Sequence, residues 1–319
     1  MAQIICGIDV SSLSLDARIG PDGPFRSFAN RPEGIAELAA FCQAQGVQLA
    51  ALEATGGYEK QPFALLWAHG LPVAILNPRA VRRFAESMGF LEKTDRIDAG
   101  VIAHFAAVKR ILPCRPASAE QQHLKALVTR LRQLTELQTA QRNQRLLVTD
   151  AAVLAWFTQM LALIASQIRA LAEAISEMIG ADPLWQQLDQ AFRTIKGVAD
   201  RTVARLMAEL PEIGVLSNKA VSKLAGLAPL ARDRGKHQGK RVVRGGRSGV
   251  REILFVVGGL VRRYDADFAD FDRRLRAAGK PKKVIRIALA HKLLVRLNAK
   301  AREVRQQFSG APACAVAAS

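Results

Sequence analysis

Four carboxylates lie at the ends of predicted elements in the first third of the chain. Asp9 ends a short apolar strand, and Glu53 ends a second strand made almost entirely of apolar residues. Asp95 and Asp98 follow Thr94, a predicted helix cap, and their spacing of three places both on one face of the first helical turn. Four converging carboxylates need cations, and two magnesium ions roughly 3.5–4 Å apart would neutralise them and activate water for phosphodiester cleavage.

Each of these acids also has an ordinary structural interpretation. Asp95 could complement the helix dipole, Asp98 could face solvent, and Asp9 could cap a turn. For any one of them taken alone, the structural interpretation is the stronger of the two. The presence of four acids at element boundaries, including Glu53, favours the metal site.

A glycine-rich basic segment in the second half is the next group of residues that could bind a ligand. From Arg232 to Arg251 the chain has eight Lys or Arg residues and one acid. Glycines allow the backbone to approach a phosphate chain closely, and the guanidinium group binds phosphate through two parallel hydrogen bonds. A solvated cationic loop is the alternative. The candidate nucleic-acid-binding residues of this segment are Arg232, Lys236, Lys240, Arg241, Arg244, Arg247 and Arg251.

The excess of positive charge is confined to the last two-fifths of the chain. The 319 residues carry a net charge of +18, and residues 186–319 contribute 28 Lys and Arg against 11 Asp and Glu. Such a cationic region is typical of proteins that bind nucleic acid, and a generally basic proteome is the alternative. Within this region Lys196 lies in a predicted helix break at residues 195–198, where backbone N–H groups suit a phosphate.

The composition argues against several other classes of protein. Half of the residues are hydrophobic, which excludes wholesale disorder. The four cysteines are scattered, so we expect a reducing cytoplasm and neither a disulfide framework nor a zinc site. We expect no membrane span, since no stretch of about 18 uncharged apolar residues is evident. Residues 1–10 are predicted to form a strand and not a signal peptide.

The predicted elements divide the chain into an α/β part and an all-α part. Residues 3–107 alternate strands with helices and begin with a hairpin, which predicts a mixed sheet. Apolar residues recur every three or four positions at 124–134 and 161–178, which predicts two long paired helices. The pairing is either across a dimer or within one chain. The expected domains are residues 1–115, a helical arm at 116–185, a basic helical domain at 186–305 and a flexible tail at 306–319.

The motifs that contain these residues resemble those of the DEDD-type insertion-sequence transposases. This family includes pilin-gene invertases and recombinases guided by a bridge RNA, and the resemblance spans roughly residues 3–305. In the first half the motifs are Gly7-Ile8-Asp9, Glu53-Ala54-Thr55-Gly56-Gly57-Tyr58, Asn77-Pro78 and Lys93-Thr94-Asp95-Arg96-Ile97-Asp98-Ala99. In the second half they are Ile195-Lys196-Gly197-Val198, Leu224-Ala225-Gly226-Leu227-Ala228-Pro229, Gly239-Lys240-Arg241, Gly245-Gly246-Arg247 and Arg251.

The resemblance implies a RuvC-like domain of the RNase H fold, a coiled-coil arm and a helical transposase domain. It implies that the four acids named above bind magnesium, and Lys93 and Arg96 of the same motif are added to the candidate nucleic-acid contacts. It also implies a serine nucleophile in the second domain, an active site shared between subunits, and dimers that assemble into tetramers. The partners would be donor and target DNA and a noncoding bridge RNA, in the bacterial cytoplasm and associated with the nucleoid.

The chain departs from the family pattern at one position. The family's Asp-Ser-Gly corresponds to Asp233-Arg234-Gly235, so Arg234 occupies the position of the nucleophile. A guanidinium group stays protonated at neutral pH and is not a nucleophile. Three explanations stay open: this copy is inactive, naturally or by design; a nearby serine such as Ser248 substitutes; or the metal cluster alone cuts DNA by hydrolysis.

Three functions are compatible with these observations. The first is a transposase or recombinase that cleaves and exchanges DNA strands. The second is a structure-selective nuclease that uses the same four acids without a covalent intermediate, and Arg234 favours it. The third is a nucleic-acid scaffold without activity, whose binding would be sensitive to salt.

Overall fold

The computed structural model describes residues 3–90, 95–231, 234, 239 and 241–308, with the backbone alone for residues 95 and 96. The chain forms two compact units that divide between Ala117 and Ser118. The predicted tail from residue 309 onward lies outside the described residues. So do these residues named in the sequence analysis: Lys93, Thr94, Arg232, Asp233, Gly235, Lys236 and Lys240.

The first unit is a mixed sheet with helices. Its strands are β1 (Ile5–Val10), β2 (Ser14–Ile19), β3 (Phe25–Ala29), β4 (Leu49–Glu53) and β5 (Val73–Leu76). Its helices are α1 (Pro32–Ala44), α2 (Lys60–Ala68), α3 (Pro78–Ser87) and α4 (Asp95–Lys109). In the described residues the strand order is β3-β2-β1-β4-β5, where β1, β4 and β5 are parallel and β2 and β3 are antiparallel. The predicted mixed sheet is confirmed.

The sheet has a different pair of helices on each face. Ile8 and Leu52 lie in one hydrophobic cluster with residues of α1 and α2, and Ile5 and Ala51 lie in another with residues of α3 and α4. Successive side chains of a strand point to opposite faces, so both central strands are covered on both sides. This burial explains why β4 is a nearly continuous apolar run.

Gly7 allows helix α4 to lie directly on strand β1. A Cβ atom at Gly7 would overlap the carbonyl oxygen of Ala99 and would lie 2.5 Å from the amide nitrogen of Ala103. The helix backbone therefore occupies the space that any other side chain would fill. The glycine therefore permits the short distance between α4 and β1, the strand that contains Asp9.

Two buried cysteines lie side by side in the first unit. The described residues include three cysteines, and all three are free. Cys6 of β1 and Cys42 of α1 are buried in the same hydrophobic cluster. The hydrogen bond with Cys42, together with burial, raises the pKa of the Cys6 thiol well above its usual value. The raised pKa makes Cys6 a packing residue of the core and not a reactive thiolate.

The second unit is helical apart from one short hairpin. Its helices are α5 (Ala119–Arg145), α6 (Ala151–Ala181), α7 (Pro183–Arg193), α8 (Asp200–Glu209), α9 (Asn218–Leu224), α10 (Ser248–Val261), α11 (Ala266–Ala277) and α12 (Lys282–Phe308). The hairpin strands are β6 (Pro229–Leu230) and β7 (Val242–Val243). Apolar residues of α5 and α6 share one core with α7, α8, α10 and α12. The arm expected at 116–185 is therefore continuous with the helices that follow it.

Helices α5 and α6 pair within one chain. Leu131 and Leu134 of α5 and Ile164 and Ile168 of α6 are buried in the core of the second unit. Of the two pairings that the apolar spacing allows, the structure contains the intramolecular one.

Helix α6 corrects the expectation about membrane spans. By length and composition it is apolar enough to cross a membrane, with a mean hydropathy of 1.6 over an 18-residue window, of which 11% is buried. Residues 151–168 carry no charge. The polar residues Thr158 and Gln159 interrupt the apolar run, so the sequence does not show one continuous apolar stretch. The expected absence of such a stretch therefore fails on length and composition alone, a test that the core helix of a soluble protein also passes.

Candidate active site and nucleic-acid interface

The carboxylates Asp9 and Glu53 are brought together by the parallel pairing of β1 with β4. The register pairs Ile8 with Leu52, so the next residues, Asp9 and Glu53, are neighbours at the carboxyl ends of the two strands. Both side chains are half-buried and point to the sheet face that α4 covers. Asp9 Oδ1 accepts a hydrogen bond from the Val10 amide at 2.9 Å.

Asp98 lies beside the same strand. It precedes Ala99, whose carbonyl oxygen borders Gly7, and Gly7 is two residues or about 6.6 Å along β1 from Asp9. Asp98 is half-buried on the α4 side of the sheet. We refer to Asp9, Glu53 and Asp98 as the acidic edge. Asp95 is the first residue of α4, and its side chain, like that of Arg96, lies outside the described residues.

A further carboxylate, Asp16, was missed by the sequence reasoning. The antiparallel register places Asp16 of β2 directly opposite Asp9, and Asp16 is 9% exposed. Side chains opposite each other in this way have Cβ atoms about 5 Å apart, and like charges there are unfavourable. Asp16 Oδ2 accepts a hydrogen bond from Ser14 Oγ at 3.3 Å. The register of the first hairpin was the signal that could have revealed it.

The donor atoms of this edge are of the type that magnesium prefers. They are carboxylate oxygens, and the hydroxyl of Thr55, just beyond Glu53, is buried without a hydrogen-bond partner among the described atoms. Among the described side chains, however, no group of three or more His, Cys, Asp or Glu residues is close enough to hold a metal ion. The donor chemistry fits magnesium, and the contribution of Asp95 lies outside what the structure describes.

The turn after Glu53 is held by a carboxylate clamp. Gly56 and Gly57 have φ angles of 77° and 127°, in the region that favours glycine. Glu59 Oε2 accepts hydrogen bonds from the amides of Thr55 at 3.1 Å and Gly57 at 2.8 Å. Desolvation acts to raise the pKa of Glu59, but the backbone hydrogen bonds outweigh it and hold this pKa below its usual value. The clamp therefore stays ionised at neutral pH.

In the second unit, two short strands flank the predicted basic segment. Pro229 pairs with Val243 and Leu230 with Val242 in a β-hairpin, and the described residues 231, 234, 239 and 241 lie between these strands in the sequence. We call residues 229–243 the basic hairpin. Arg234 is exposed within it, and Arg241 and Arg244, at and just beyond its second strand, are exposed as well. The sequence reasoning predicted the glycine-rich loop but not the strands.

The base of the basic hairpin is a contact between two glycines. Gly226 and Gly246 both have a φ angle of 66°, and a Cβ at Gly246 would lie 2.6 Å from the Gly226 Cα atom. Arg251 Nη1 donates a hydrogen bond to the Gly245 carbonyl oxygen at 2.7 Å. No larger residue fits at this crossing, which fixes where the hairpin leaves the helical core.

The guanidinium group of Arg247 forms hydrogen bonds within the protein. Its two terminal nitrogens bind both carboxylate oxygens of Glu212 at 2.5 and 2.6 Å, and Nη1 also donates to the Glu209 carbonyl oxygen at 2.8 Å. Arg247 and Arg251 were expected to bind phosphate, but both guanidinium groups make bonds that hold the hairpin base.

Lys196 lies in the predicted break between α7 and α8. Ile195 and Val198 are buried, whereas Lys196 is exposed. Gly197 has a φ angle of 100°, and a Cβ there would lie 3.4 Å from Val261 of α10. The turn is thus anchored by its apolar residues and presents the lysine to solvent at the start of α8.

Comparisons with known proteins agree with this combination of an acidic sheet edge and a basic helical unit. Residues 6–151 match a DEDD transposase family, and residues 189–273 match the family described as transposase IS116/IS110/IS902. The chain is a transposase by class. It belongs to the DEDD-type insertion-sequence transposases of the IS110 group.

Two curated relatives have the same extent as this chain. The pilin gene-inverting proteins of Moraxella lacunata and Moraxella bovis are each 28% identical to it over 312 residues, which cover 92% of this chain and 94% of each relative. Among solved structures, Thermus thermophilus RuvC is 14% identical and covers 35% of this chain and 99% of its own, with a TM-score of 0.26.

Proposed function

We propose that this chain is a magnesium-dependent recombinase that cuts DNA strands at the acidic edge of a RuvC-like domain. The observation that carries the proposal is the adjacency of Asp9 and Glu53 at the ends of parallel strands, below a helix that begins with Asp95 and carries Asp98. The sequence identifies the acids, and the parallel register of β1 with β4 supports the proposal that two of them act together on one face of the sheet.

Each acid has a separate position in the proposed site. Asp9 and Glu53 would hold metal from the sheet, and Asp95 and Asp98 would hold it from α4. Two bound magnesium ions would activate the attacking oxygen and stabilise the leaving oxygen of the phosphodiester. The role of Gly7 is to let α4 approach, so that acids from helix and sheet reach one phosphate.

The second unit would bind the nucleic acid. Lys196, Arg241 and Arg244 are exposed, whereas Arg247 and Arg251 donate hydrogen bonds to other groups of the protein. The excess charge of residues 186–319 supports phosphate binding that falls steeply with salt. The proposed partners are donor and target DNA and a noncoding bridge RNA. Lys93, Arg96, Arg232, Lys236 and Lys240 complete the proposed set of contacts.

Arg234 determines whether strand exchange can pass through a covalent protein–DNA link. In this family the resemblance assigns that position to a serine, which would form a phosphoserine with the cut strand. Arg234 is exposed in the basic hairpin, so a serine there would meet solvent and substrate without disturbing the core. A guanidinium cannot attack phosphorus, so covalent strand exchange by the present chain would need another nucleophile such as Ser248. Without one, the chain would cleave by hydrolysis or not at all.

Arg234→Ser is expected to create a covalent protein–DNA adduct that the parent chain does not form. The measurement is a denaturing gel with end-labelled DNA that carries the junction between the gene's own element and its flanks, in magnesium. Arg263→Ser, an exposed arginine of the same unit outside the hairpin, is the matched control and should give no adduct. Equal adduct from both variants, or none from Arg234→Ser, would contradict the assignment of this position.

Hydrolytic nicking is the second candidate function, and Arg234 is the observation that favours it. A nuclease of this kind would use the same acidic edge and release both ends of the cut strand. Nicking of branched DNA that is never rejoined, by the parent chain and by Arg234→Ser alike, would establish it in place of recombination.

We also propose that the far end of the α5–α6 arm binds a second copy of this chain. Trp156, Met160 and Leu163 follow a helical spacing on α6 and are 67%, 48% and 60% exposed. Leu146 and Leu147, in the connection between the helices, are more than 80% exposed. An exposed apolar stripe of this kind is typical of a self-association surface.

Trp156→Glu is expected to convert a dimer into a monomer, because it would place a charge in the centre of the stripe. Sedimentation velocity at micromolar concentration measures the change. Thr158→Glu adds the same charge two residues away, on the opposite side of α6, and should leave the dimer intact. A monomeric parent chain, or two variants that dimerise equally, would rule out this surface.

A further inference from the structure

Two exposed apolar side chains lie at the carboxyl edge of the sheet. Leu13, in the turn that follows β1, is 82% exposed, and Tyr58, in the turn that follows β4, is 57% exposed. Asp9 is the next-to-last residue of β1, and Glu53 is the last residue of β4. The apolar pair therefore follows the two proposed metal-binding acids in sequence and lies at the same edge of the same sheet.

Asn30 connects the two turns. Its backbone N–H donates to the Leu13 carbonyl oxygen at 2.9 Å. Its side-chain Nδ2 donates to the carbonyl oxygens of Ser11 at 2.7 Å and Tyr58 at 3.4 Å. One residue thus holds the backbones that carry Leu13 and Tyr58, and the Glu59 clamp fixes the Tyr58 turn from its other side.

We propose that Leu13 and Tyr58 form a nucleobase platform, on which a base adjacent to the scissile phosphate leaves the stack and lies against the Tyr58 ring. The inference rests on the proposed cleavage of DNA at the acidic edge. Aromatic rings stack on any base regardless of sequence, and leucine side chains act as wedges that open base steps. A phosphate held at Asp9 and Glu53 has its own nucleotides next to these two turns.

The role of Tyr58 is to position the substrate, and the aromatic ring is the part of the side chain that contacts the base. An unstacked base would pull the strand away from the duplex and expose its phosphate to the acidic edge. Tyr58→Phe keeps the ring and should behave as the parent chain. Tyr58→Ala removes it and should weaken DNA binding about 10-fold or more, the range of single base–aromatic stacks.

Photo-crosslinking tests the platform with a readout that a purely structural role would not move. The probe is the junction duplex described above with 5-iododeoxyuridine placed at one position at a time across the cleavage point, in magnesium-free buffer. Peptide mass spectrometry should find an adduct on Tyr58 only when the 5-iododeoxyuridine is at one or two particular positions of the duplex. Tyr58→Ala should lose it, and Tyr58→Phe should retain it.

The chain supplies its own matched control. Tyr264 is the other tyrosine and is 61% exposed in the second unit, so Tyr264→Ala should leave both binding and the adduct unchanged. No adduct on Tyr58, with Tyr58→Ala binding as the parent does, would overturn the platform while Asp9-dependent cleavage of the same duplex upheld the proposed function. An adduct on Tyr58 from a chain that never cleaves would uphold the platform and reject the cleavage.

Discussion

Asp9→Asn is expected to abolish DNA strand cleavage and to leave DNA binding unchanged. The substitution keeps the oxygen that accepts the Val10 amide hydrogen bond and removes the negative charge that a metal ion needs. Loss of a metal site costs several kcal/mol of transition-state stabilisation, so we expect cleavage to fall by at least about 10³-fold. Gel-based cleavage in magnesium and fluorescence anisotropy at one salt concentration measure the two effects.

Glu33→Gln is the control for this substitution. Glu33 is an exposed carboxylate in the first turn of α1, on the face of the sheet opposite the acidic edge, and its neutralisation should not change cleavage. Cleavage by Asp9→Asn at the parent rate would refute the catalytic assignment. Loss of binding by Asp9→Asn would show that the acid acts through folding and not through metal.

Gly7→Ala is expected to destabilise the first unit and to separate α4 from β1. The new methyl group would meet the backbone of Ala99 and Ala103, which cannot move without shifting the whole helix. Overpacking of this kind costs about 1–3 kcal/mol, and a contact with backbone belongs at the upper end of that range. Thermal unfolding measures the loss, and cleavage should fall as well, because Asp98 is carried on the displaced helix.

Gly180→Ala is the matched substitution for Gly7→Ala. Gly180 lies in helix α6, and apart from the adjacent backbone of that helix no described atom lies within 4 Å of the position that a Cβ would take, so alanine there should stabilise the chain slightly. If Gly7→Ala unfolds at the parent temperature and cleaves normally, then the close approach of α4 is not what positions the acids.

Much of the first unit could be predicted from apolar patterns. The element that these patterns did not predict was missed for a physical reason. The two strands predicted to end at Asp9 and Glu53 are β1 and β4 of the structure, because buried parallel strands are short apolar runs. Strand β3 was missed because only Phe28 of its five residues is buried. An edge strand with so little buried surface carries almost no hydrophobic signal.

The acidic edge could be predicted in part. Asp9 and Glu53 were recognised because each ends a strand, a position that sequence shows directly. Asp16 was missed because its place depends on the register of the first hairpin, and one residue of slippage would turn it to the other face.

The basic segment shows a different limit. Composition identified Arg247 and Arg251 as cations in a glycine-rich stretch, but not their partners. The Glu212 carboxylate that binds Arg247 is 35 residues away in sequence, so only the fold brings the two together. The glycine contact between Gly226 and Gly246 is equally nonlocal, and so is the hairpin whose base it forms.

Manganese binding is the most direct test of the central claim, that acids distant in sequence hold metal ions together. Electron paramagnetic resonance of free Mn²⁺ gives the number of ions that each chain binds. The parent chain should bind about two ions. Asp9→Asn and Glu53→Gln should each lose binding, and Glu33→Gln should retain it. A parent chain that binds no manganese, or an Asp9→Asn variant that binds it as the parent does, would contradict the claim.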